Sequence, residues 1–401
     1  MQFNKLQIKN ICKIIGGQPA PKGNSSFCSD GLPFVRMRDF GRYHLTNNLF
    51  DVDDCLSEDY LKKSKVKIVK KGSILLPRSG SVGLNHRAIL GRDAVIVSHI
   101  CALEVIDRKI VNNSYLYYYL QTIDMVSITK KTTGLDAITF EDLAKIIIPI
   151  PPISYQERTS AILDHADSIR RKNKQILEKY NELAQSVFYE MFRDDEINPK
   201  KWNKSELGTI LNLKNAIKCG PFGSQLKIGE YVTEGIPVYG IDNVATGKFI
   251  QAKNKHVTNE KFADLKAFAI QPKDILMTRT GTVGRACLAP EKTLYAVLGP
   301  NLLWIRANAK VFSPEFLCFL FNHSISIKSQ IGLNSPGATV AVYNTTNLKK
   351  LKVIVPPIEI QNHFTRIYKQ IENQKELTQR GLEKSDELFQ SLLQRAFKGE
   401  L

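Results

Sequence analysis

Residues 74–83 read ILLPRSGSVG, and residues 275–284, which lie 201 positions later, read ILMTRTGTVG. Two further stretches return in the same order, each 205 positions later: PPISYQ at 151–156 as PPIEIQ at 356–361, and ELAQS at 182–186 as ELFQS at 387–391. Three matches in one order at nearly one offset indicate a tandem duplication of the whole chain. Because solenoid repeats are about 20–50 residues long, a period of about 200 residues predicts two like domains rather than a solenoid.

The composition indicates a folded, strongly basic protein. The chain has 401 residues, of which 43% are hydrophobic, enough for two or three domains that each bury a core. Its 56 Lys and Arg residues exceed its 39 Asp and Glu residues, which gives a formal net charge of +17. Such an excess favours a polyanionic partner, most often nucleic acid. A basic soluble protein without such a partner is the alternative that charge alone leaves open.

The cysteines and the start of the chain predict a cytoplasmic protein. None of the seven cysteines forms a C-x₂-C pair, and their number is odd. This pattern is typical of reduced intracellular thiols and disfavours both a disulfide framework and a zinc site. The first residues, MQFNK, lack the apolar core of a signal peptide, and no stretch of about 18 apolar residues would span a membrane.

Each half of the sequence predicts an α+β domain that is followed by a Pro-Pro break and a long helix. The predicted boundaries are 1–150 for the first globular domain, 151–195 for the first long helix, 196–355 for the second globular domain and 356–401 for the second long helix. Short β-type runs lie at 67–69, 73–76 and 274–277, and helical runs lie at 114–120 and 314–321. The predicted fold class is therefore α+β, with two tandem globular domains that each precede a long helix.

The long helices carry apolar stripes that need a partner. The first stripe is an apolar heptad repeat formed by Ile162, Ile169, Ile176 and Leu183, with Ala166, Asn173, Tyr180 and Val187 at the alternate positions. The second helix offers Ile367, Ile371, Leu388 and Leu392. We predict that the two helices pair as an antiparallel coiled coil through these residues, with the polar Asn173 fixing the register. The alternative is that each helix packs on its own globular domain.

Both copies of the repeated turn carry groups that suit phosphate oxygens. The candidate DNA-binding residues there are Arg78, Ser79 and Ser81 in the first copy, and Arg279, Thr280, Thr282 and Arg285 in the second. Two glycines in each copy let the backbone turn sharply and approach a partner closely. A guanidinium and hydroxyls beside such a turn can bind phosphate. The alternative is a tight turn whose hydroxyls bond their own backbone.

Other loops differ strongly between the two halves. The candidate DNA-binding residues in these loops are Lys22, Arg36, Arg38 and Arg42 in the first half, and Ser224, Gln225, Lys227, Asn243 and Lys248 in the second. Arginine pairs well with guanine edges, and asparagine or glutamine pairs well with adenine edges. Halves that keep a scaffold and change these loops suggest two readers of two different sequences. The alternative for each of these side chains is a solvated surface group.

Known catalytic motifs are absent from the sequence. It contains no Asn/Asp-Pro-Pro-Tyr methyltransferase motif, no G-x-G-x-x-G after a strand, no G-x₄-G-K-[ST] phosphate loop, no H-E-x-x-H and no G-x-S-x-G. The seven histidines form no cluster with metal-ligand spacing. We therefore predict a non-catalytic binding protein with no metal site of its own.

With these features the chain resembles the DNA-specificity subunit of Type I restriction–modification systems. The resemblance rests on the repeated order of globular domain and long helix, on the PPI-x-x-Q sequences, and on the RSGSVG and RTGTVG turns. The ending SLLQRAFKGEL at 391–401 also resembles the C-terminal helix of that family. Together these features cover essentially the whole chain.

This resemblance implies that each globular domain is a target-recognition domain that reads one half of a bipartite double-stranded DNA site. It also implies that the helices set the gap between the half-sites, and that the subunit recruits two methyltransferase subunits and the restriction–translocase subunits. S-adenosylmethionine, ATP and Mg²⁺ would then be bound by those partners. The competing hypotheses are a stand-alone nuclease or methyltransferase, and a basic coiled-coil scaffold without DNA sequence specificity.

Overall fold

The computed structural model describes residues 3–43, 45–79, 82–84, 86–128, 130–132, 135–193, 197–212, 215–293, 295–332 and 342–401. The chain divides into two compact units. The first unit contains residues 1–175 and 379–401, and the second contains residues 176–378. Each unit therefore combines one globular part with segments of both long helices.

The globular part of the first unit combines short strands with short helices. Its strands are β1 (Asn4–Gln7), β2 (Cys12–Gly16), β3 (Phe27–Cys28), β4 (Leu32–Val35), β5 (Thr46–Leu49), β6 (Cys55–Leu56), β7 (Ile74–Pro77), β8 (Ala88–Leu90), β9 (Val95–Ile96), β10 (Ile100–Val105), β11 (Lys130–Thr132), β12 (Leu135–Ala137) and β13 (Ile147–Ile150). Its helices are α1 (Ile8–Ile11), α2 (Met37–Arg42), α3 (Glu58–Lys63), α4 (Asn113–Gln121) and α5 (Phe140–Lys145). The first long helix, α6 (Ile153–Phe192), follows.

The globular part of the second unit repeats this plan. Its strands are β14 (Asn203–Glu206), β15 (Ile217–Cys219), β16 (Ile236–Tyr239), β17 (Val244–Ala245), β18 (Lys248–Phe249), β19 (Lys255–Val257), β20 (Ile275–Thr278), β21 (Ala286–Leu288), β22 (Val297–Leu298), β23 (Leu302–Ile305) and β24 (Lys352–Val355). Its helices are α7 (Leu207–Leu211), α8 (Asn259–Asp264), α9 (Pro314–His323), α10 (Ile325–Ile331) and α11 (Thr345–Lys349), and the second long helix is α12 (Ile358–Lys398). Of the helices in the described ranges, none is both long and apolar enough to cross a membrane.

The two globular parts contain matching sheets. In the first, antiparallel pairing joins β2, β10, β7 and β8 in that order; in the second, β15, β23, β20 and β21 repeat the arrangement. A parallel pair also recurs, β4 with β9 and β16 with β22. These matching sheets, together with the helices, confirm the predicted α+β class and the internal duplication.

The local predictions agree with these elements except at one position. Strands β7 and β20 begin one residue after the starts of the runs predicted at 73–76 and 274–277, and α4 and α9 contain the predicted helical runs. The strand predicted at 67–69 is wrong, because Val69 forms an isolated bridge with Ala94 instead. Ile68 is exposed, so Val69 is the residue of this run that packs into the core.

A buried glutamine fastens the start of α6 to the globular part of the first unit. The Gln156 side chain donates to the carbonyls of Ile110 (2.9 Å) and Pro151 (2.8 Å), and its oxygen accepts from the Asn112 backbone amide (2.9 Å). Asn112 is also the residue whose side chain caps α4, because its oxygen accepts from the Tyr115 amide. Gln156 therefore joins the start of the long helix to the start of α4.

The same arrangement recurs at the start of α12 in the second unit. The Gln361 side chain donates to the carbonyls of Val311 (2.9 Å) and Pro356 (2.8 Å) and accepts from the Ser313 backbone amide (3.1 Å). Ser313 caps α9. Both glutamines are fully buried. We call these two bond sets the glutamine clamps; they explain why the final residue of each PPI-x-x-Q sequence is a glutamine.

In the first unit the beginning of α6 pairs antiparallel with the end of α12. Tyr155 donates its hydroxyl to the Ala396 carbonyl (3.0 Å), and Asn173 donates its amide to the Ser385 hydroxyl (3.4 Å). The buried contact residues are Leu163 and Ala166 from α6, and Phe389, Leu393 and Ala396 from α12. Asn173 thus lies in the helix contact, as predicted.

In the second unit the end of α6 pairs antiparallel with the beginning of α12 around a cluster of aromatic rings. The Phe364 ring centroid lies 5.7 Å from that of Phe188 and 5.6 Å from that of Phe192. Phe316 and Phe319 from α9 complete the cluster. The two long helices therefore pack on each other and on the globular parts, so the predicted antiparallel pairing is confirmed.

The buried face of the helices agrees only in part with the predicted stripes: Ala166 and Ile371 are buried, but most of the predicted isoleucines and leucines are not. Ile169, Ile176, Leu183 and Leu388 keep 41%, 41%, 43% and 52% of their surface exposed. Ile162, Val187, Ile367 and Leu392 are half-buried, and Ile371 is buried. The reason is that each helix segment also packs against α4 or α9, which moves the buried stripe by one residue, or about 100°.

We predict that Gln361→Met lowers the free energy of unfolding by about 2–5 kcal/mol, because the Ser313 amide and two buried carbonyls lose their partner. The matched control is Gln374→Met, which changes an exposed glutamine of the same helix. Urea unfolding followed by circular dichroism measures both variants. Equal stability of the two variants would contradict a structural role for the second glutamine clamp.

Candidate nucleic-acid interface

Three loops meet at one edge of the main sheet in the second unit. Strands β15 and β20 end at this edge and β23 begins there, since the register places Cys219 opposite Leu303 and Thr278 opposite Leu302. The segments next to these strand ends are therefore neighbours. We call the surface formed by residues 220–226, 279–285 and 299–301 the second strand-end site.

The RTGTVG turn of this site is closed by its own backbone. Thr278 accepts from the Gly284 amide (3.1 Å) and donates its amide to the Arg285 carbonyl (2.9 Å), and its hydroxyl donates to the Thr282 carbonyl. Gly281 and Gly284 have φ values of +68° and +88°, which favour glycine. The hydroxyl that bonds the turn thus belongs to Thr278, while Thr282 and Arg285 are exposed and Thr280 is half-buried.

The Arg279 guanidinium is held by neutral groups. It donates to the carbonyls of Tyr343 and Pro300, each at 3.4 Å, and lies 5.8 Å from the centre of the Phe222 ring. Its backbone amide donates to Asn301 (3.1 Å). Carbonyls and an aromatic face orient a guanidinium without cancelling its charge. Arg279 therefore keeps a positive charge that can attract phosphate.

The 220–226 loop approaches the rest of the site through a glycine. A Cβ at Gly220 would lie 1.9 Å from the Gly299 carbonyl oxygen, so no side chain fits there. Beyond it, Phe222 keeps 55% of its surface exposed, and the Gln225 side chain accepts from the Phe222 amide (3.5 Å). Ser224 and Gln225 are exposed, as is Lys227 just after the loop.

The first unit contains the equivalent surface, the first strand-end site, formed by residues 17–22, 78–79 and 97–99. A Cβ at Gly17 would lie 2.0 Å from the Val97 carbonyl oxygen, which matches the contact of Gly220. The Arg78 amide donates to the His99 carbonyl (2.8 Å), as Arg279 does to Asn301. The duplication therefore preserves the backbone of the site.

The side chains of the first strand-end site differ from those of the second. The Arg78 guanidinium lies 4.7 Å from the ring centre of Phe140, a residue with 38% of its surface exposed. The Ser79 hydroxyl is 2.8 Å from Nδ1 of His99. Lys22 is exposed, and Ser81 lies outside the described residues. Each arginine thus contacts an aromatic ring, but the two rings come from different loops.

Arg36, Arg38 and Arg42 are not free cations. Arg36 pairs with Asp54; Arg38 pairs with Asp53 (3.2 Å) and Asp54 (3.0 Å); and Arg42 pairs with Asp53 (2.8 Å). The hydrogen bond from the Arg42 guanidinium lowers the pKa of the Asp53 carboxyl. The two aspartates offset much of the local positive charge, so DNA would have to compete with them for these arginines.

The predicted DNA-binding role of Asn243 is wrong. Asn243 is buried; its oxygen accepts from the Gly240 amide (2.8 Å), and its nitrogen donates to the Ile250 carbonyl (3.0 Å). In the first unit Asp39 closes the matching turn by accepting from the Arg36 amide (2.9 Å). Because Asn243 is buried and its amide holds this turn, the side chain is not available to a base. Lys248 on β18 is exposed.

Sequence reasoning missed four residues that the fold brings to these sites. Phe222 and Phe140 flank the two arginines, and His99 and Asn301 precede the equivalent strands β10 and β23. Phe222 could have been noticed, because an aromatic residue inside a glycine-bracketed loop is poorly placed for a core. The other three carry no local signal, since only strand pairing brings them next to the turns.

The described residues contain no cluster of metal ligands, and burial deactivates three of their cysteine thiols. No group of three or more His, Cys, Asp or Glu side chains within the described ranges could hold a metal ion. All seven cysteines are free, and burial raises the pKa of the Cys12, Cys101 and Cys287 thiols to about 12. These three thiols stay protonated at neutral pH and are poor nucleophiles.

The sequence matches a known family over most of its length. The family model described as "Type I restriction modification DNA specificity domain" matches residues 2–181 and again residues 199–385. The Type I restriction enzyme EcoBI specificity subunit of Escherichia coli is 21% identical over 432 aligned positions, which cover 99% of this chain and 86% of that protein. The Type I restriction enzyme MjaVIII specificity subunit of Methanocaldococcus jannaschii is 24% identical. That alignment covers 87% of this chain and 84% of that protein.

Solved structures share the fold. The S subunit of a Type I restriction–modification system from M. genitalium superposes with a TM-score of 0.60 at 16% identity, covering 98% of this chain and 96% of that one. A chain from a structure described as the structural basis of complex assembly and conformational transition of the type I R-M system gives a TM-score of 0.55, also at 16% identity. The match covers 100% of this chain and 98% of that chain. At this identity the likeness concerns the fold alone.

We predict that Arg279→Ala weakens duplex DNA binding about equally for all sequences and lowers the slope of log K against log salt concentration by about 1, because a phosphate contact carries no sequence information. Arg78→Ala should act in the same way. The control is Lys310→Ala, which removes one exposed charge beyond the other end of β23. Fluorescence anisotropy at several salt concentrations measures the slopes. Unchanged binding by both arginine variants would remove this assignment.

We predict that Asn243→Ala lowers the free energy of unfolding by about 1–3 kcal/mol, because it leaves a buried amide and carbonyl unpaired. DNA affinity measured where the variant is fully folded should be unchanged. Lys248→Ala, which changes an exposed neighbour, should leave stability unchanged. A loss of DNA affinity without a loss of stability in Asn243→Ala would restore the original assignment.

Proposed function

Because the chain belongs to the Type I restriction modification DNA specificity domain family, we propose that it selects the DNA sequence on which a restriction–modification complex acts. Each unit reads one half of a bipartite double-stranded site. The paired helices α6 and α12 set the unspecified gap between the halves. The chain itself is a non-catalytic subunit that acts in the cytoplasm.

The observation that carries this proposal is the repetition of the strand-end site. Both units place the arginine of the repeated RSG or RTG sequence beside a second loop that approaches through Gly17 or Gly220. Arginine beside such a turn suits the phosphate backbone, which positions a protein on DNA. The side chains around the two arginines differ, as two readers of different half-sites require. The net charge of +17 supplies the general attraction to DNA.

A basic scaffold without DNA specificity is the alternative function. Such a scaffold needs the paired helices and the positive charge, but it does not need two equivalent sites with different side chains. The ion pairs of Arg36, Arg38 and Arg42 also argue against a surface that attracts any polyanion, because part of the positive charge is already neutralised. The DNA-specificity function therefore accounts for more of the structure.

The uncovered apolar residues of the helices provide a surface for partner subunits. In the first unit Ile162, Ile169, Leu388 and Leu392 line one groove with Ala161 and His165. Exposed apolar area of this kind marks protein interaction sites. Two methyltransferase subunits and the restriction–translocase subunits are the partners in this proposal, with at least one methyltransferase on the helices. S-adenosylmethionine, ATP and Mg²⁺ then belong to those subunits, in line with the absent cofactor motifs.

We predict that selection from a random duplex library recovers two short specified sequences separated by a fixed unspecified gap. The full chain is used, alone and together with a methyltransferase subunit, and bound duplexes are sequenced. The chain carrying both Arg78→Ala and Arg279→Ala is the control and should recover fewer duplexes at equal salt. One contiguous sequence would contradict two separate readers. No enrichment by a folded chain would favour the scaffold.

A further inference from the structure

We propose that His99 and Asn301 are equivalent base-reading positions, one in each unit, and that the difference between them makes the two half-sites differ. This inference rests on the proposed function and adds to it the residues that distinguish the two halves. Neither residue stood out in the sequence, because neither belongs to a repeated motif. Their equivalence follows from strand register and backbone hydrogen bonds.

The two residues occupy the same place in the two sheets. His99 directly precedes β10, where Ile100 lies opposite Pro77 of β7; Asn301 directly precedes β23, where Leu302 lies opposite Thr278 of β20. Each backbone carbonyl accepts from the amide of the arginine that begins the repeated turn, at 2.8 Å from Arg78 and 3.1 Å from Arg279. Each residue is therefore held beside the group assigned to the phosphate backbone.

Both side chains are exposed, and Asn301 has positively charged neighbours. Asn301 lines a groove in the second unit together with Asp242, Lys253 and Lys255. The Arg279 guanidinium donates to the carbonyl of Pro300, the residue before Asn301. An exposed polar side chain beside cations that can bind phosphate is well placed to reach the edge of a base.

The chemistry of the two side chains predicts different bases. An asparagine amide donates and accepts at once, which matches the adenine N6 and N7 groups in the major groove. His99 has fewer hydrogen-bonding groups left for a base, because Ser79 Oγ lies 2.8 Å from its Nδ1. When the Ser79 hydroxyl donates to Nδ1, the imidazole proton lies on Nε2, which can then donate to a base. A single donor fits any major-groove acceptor, and guanine offers two of them, N7 and O6, so His99 should favour guanine and lack the adenine selectivity of an asparagine.

The pair Asn301→His and His99→Asn tests this inference with a built-in control, since each variant introduces the side chain of the other unit. Both variants and the wild-type chain go through selection from the same random duplex library. Asn301→His should change the preferred base at one position of one half-site, with a loss of adenine preference of about 10- to 100-fold. His99→Asn should change one position of the other half-site and create an adenine preference there.

The outcomes separate this inference from the proposed function. If the wild-type chain selects a bipartite site and both folded variants select the same site, the inference is overturned and the proposed function stands. If the wild-type chain selects no bipartite site, the proposed function fails, and the inference fails with it. Changes in overall affinity without a change in base preference would also overturn the inference, because they indicate a phosphate contact.

A conservative variant covers the case in which Asn301→His does not fold. Asn301→Asp keeps the size and one acceptor of the side chain but removes its donor, so the adenine preference at the same position should be lost. Thermal unfolding of each variant, compared with the wild-type chain, shows whether it is folded. Retained adenine preference in folded Asn301→Asp would overturn the assignment of Asn301.

Discussion

Two buried glutamine side chains hold the long helices to the globular parts of this protein. A buried amide costs free energy unless every polar atom is bonded, and Gln156 and Gln361 each meet this condition with three bonds. The bonds reach the start of the long helix and the cap of α4 or α9 at the same time. Within each unit the helix, the cap and the sheet behind it are therefore placed together.

The strand-end sites depend on close backbone contacts. At Gly17 and Gly220 a second loop touches a carbonyl that a side chain would displace, so the backbone of both sites is set by sterics. The side chains on that backbone are free to differ, and they do: Phe140 contacts Arg78, whereas Phe222 contacts Arg279. A duplicated scaffold with different side chains is what separate recognition of two sequences needs.

Charge alone is a poor guide to which residues meet DNA. Arg36, Arg38 and Arg42 form the densest group of arginines in the recognition loops, yet Asp53 and Asp54 pair with all three. Arg78 and Arg279 have fewer arginines around them in the sequence. Two carbonyls and one aromatic ring hold Arg279, and one ring contacts Arg78. The groups that surround a cation in the fold decide whether its charge is available. The number of cations in a stretch of sequence does not decide this.

The sequence by itself determined the duplication, the α+β class, the two long helices and their antiparallel pairing, and the repeated turn of the second unit. These features are written as repeats and periodic patterns of nearby residues, which need no knowledge of the fold. The tertiary structure decided which helix face is buried, because α4 and α9 share the contact and uncover Ile169 and Leu388. It also assigned Asn243 to a turn and brought His99 and Asn301 beside the arginines, because strand pairing joins residues that are far apart in the chain.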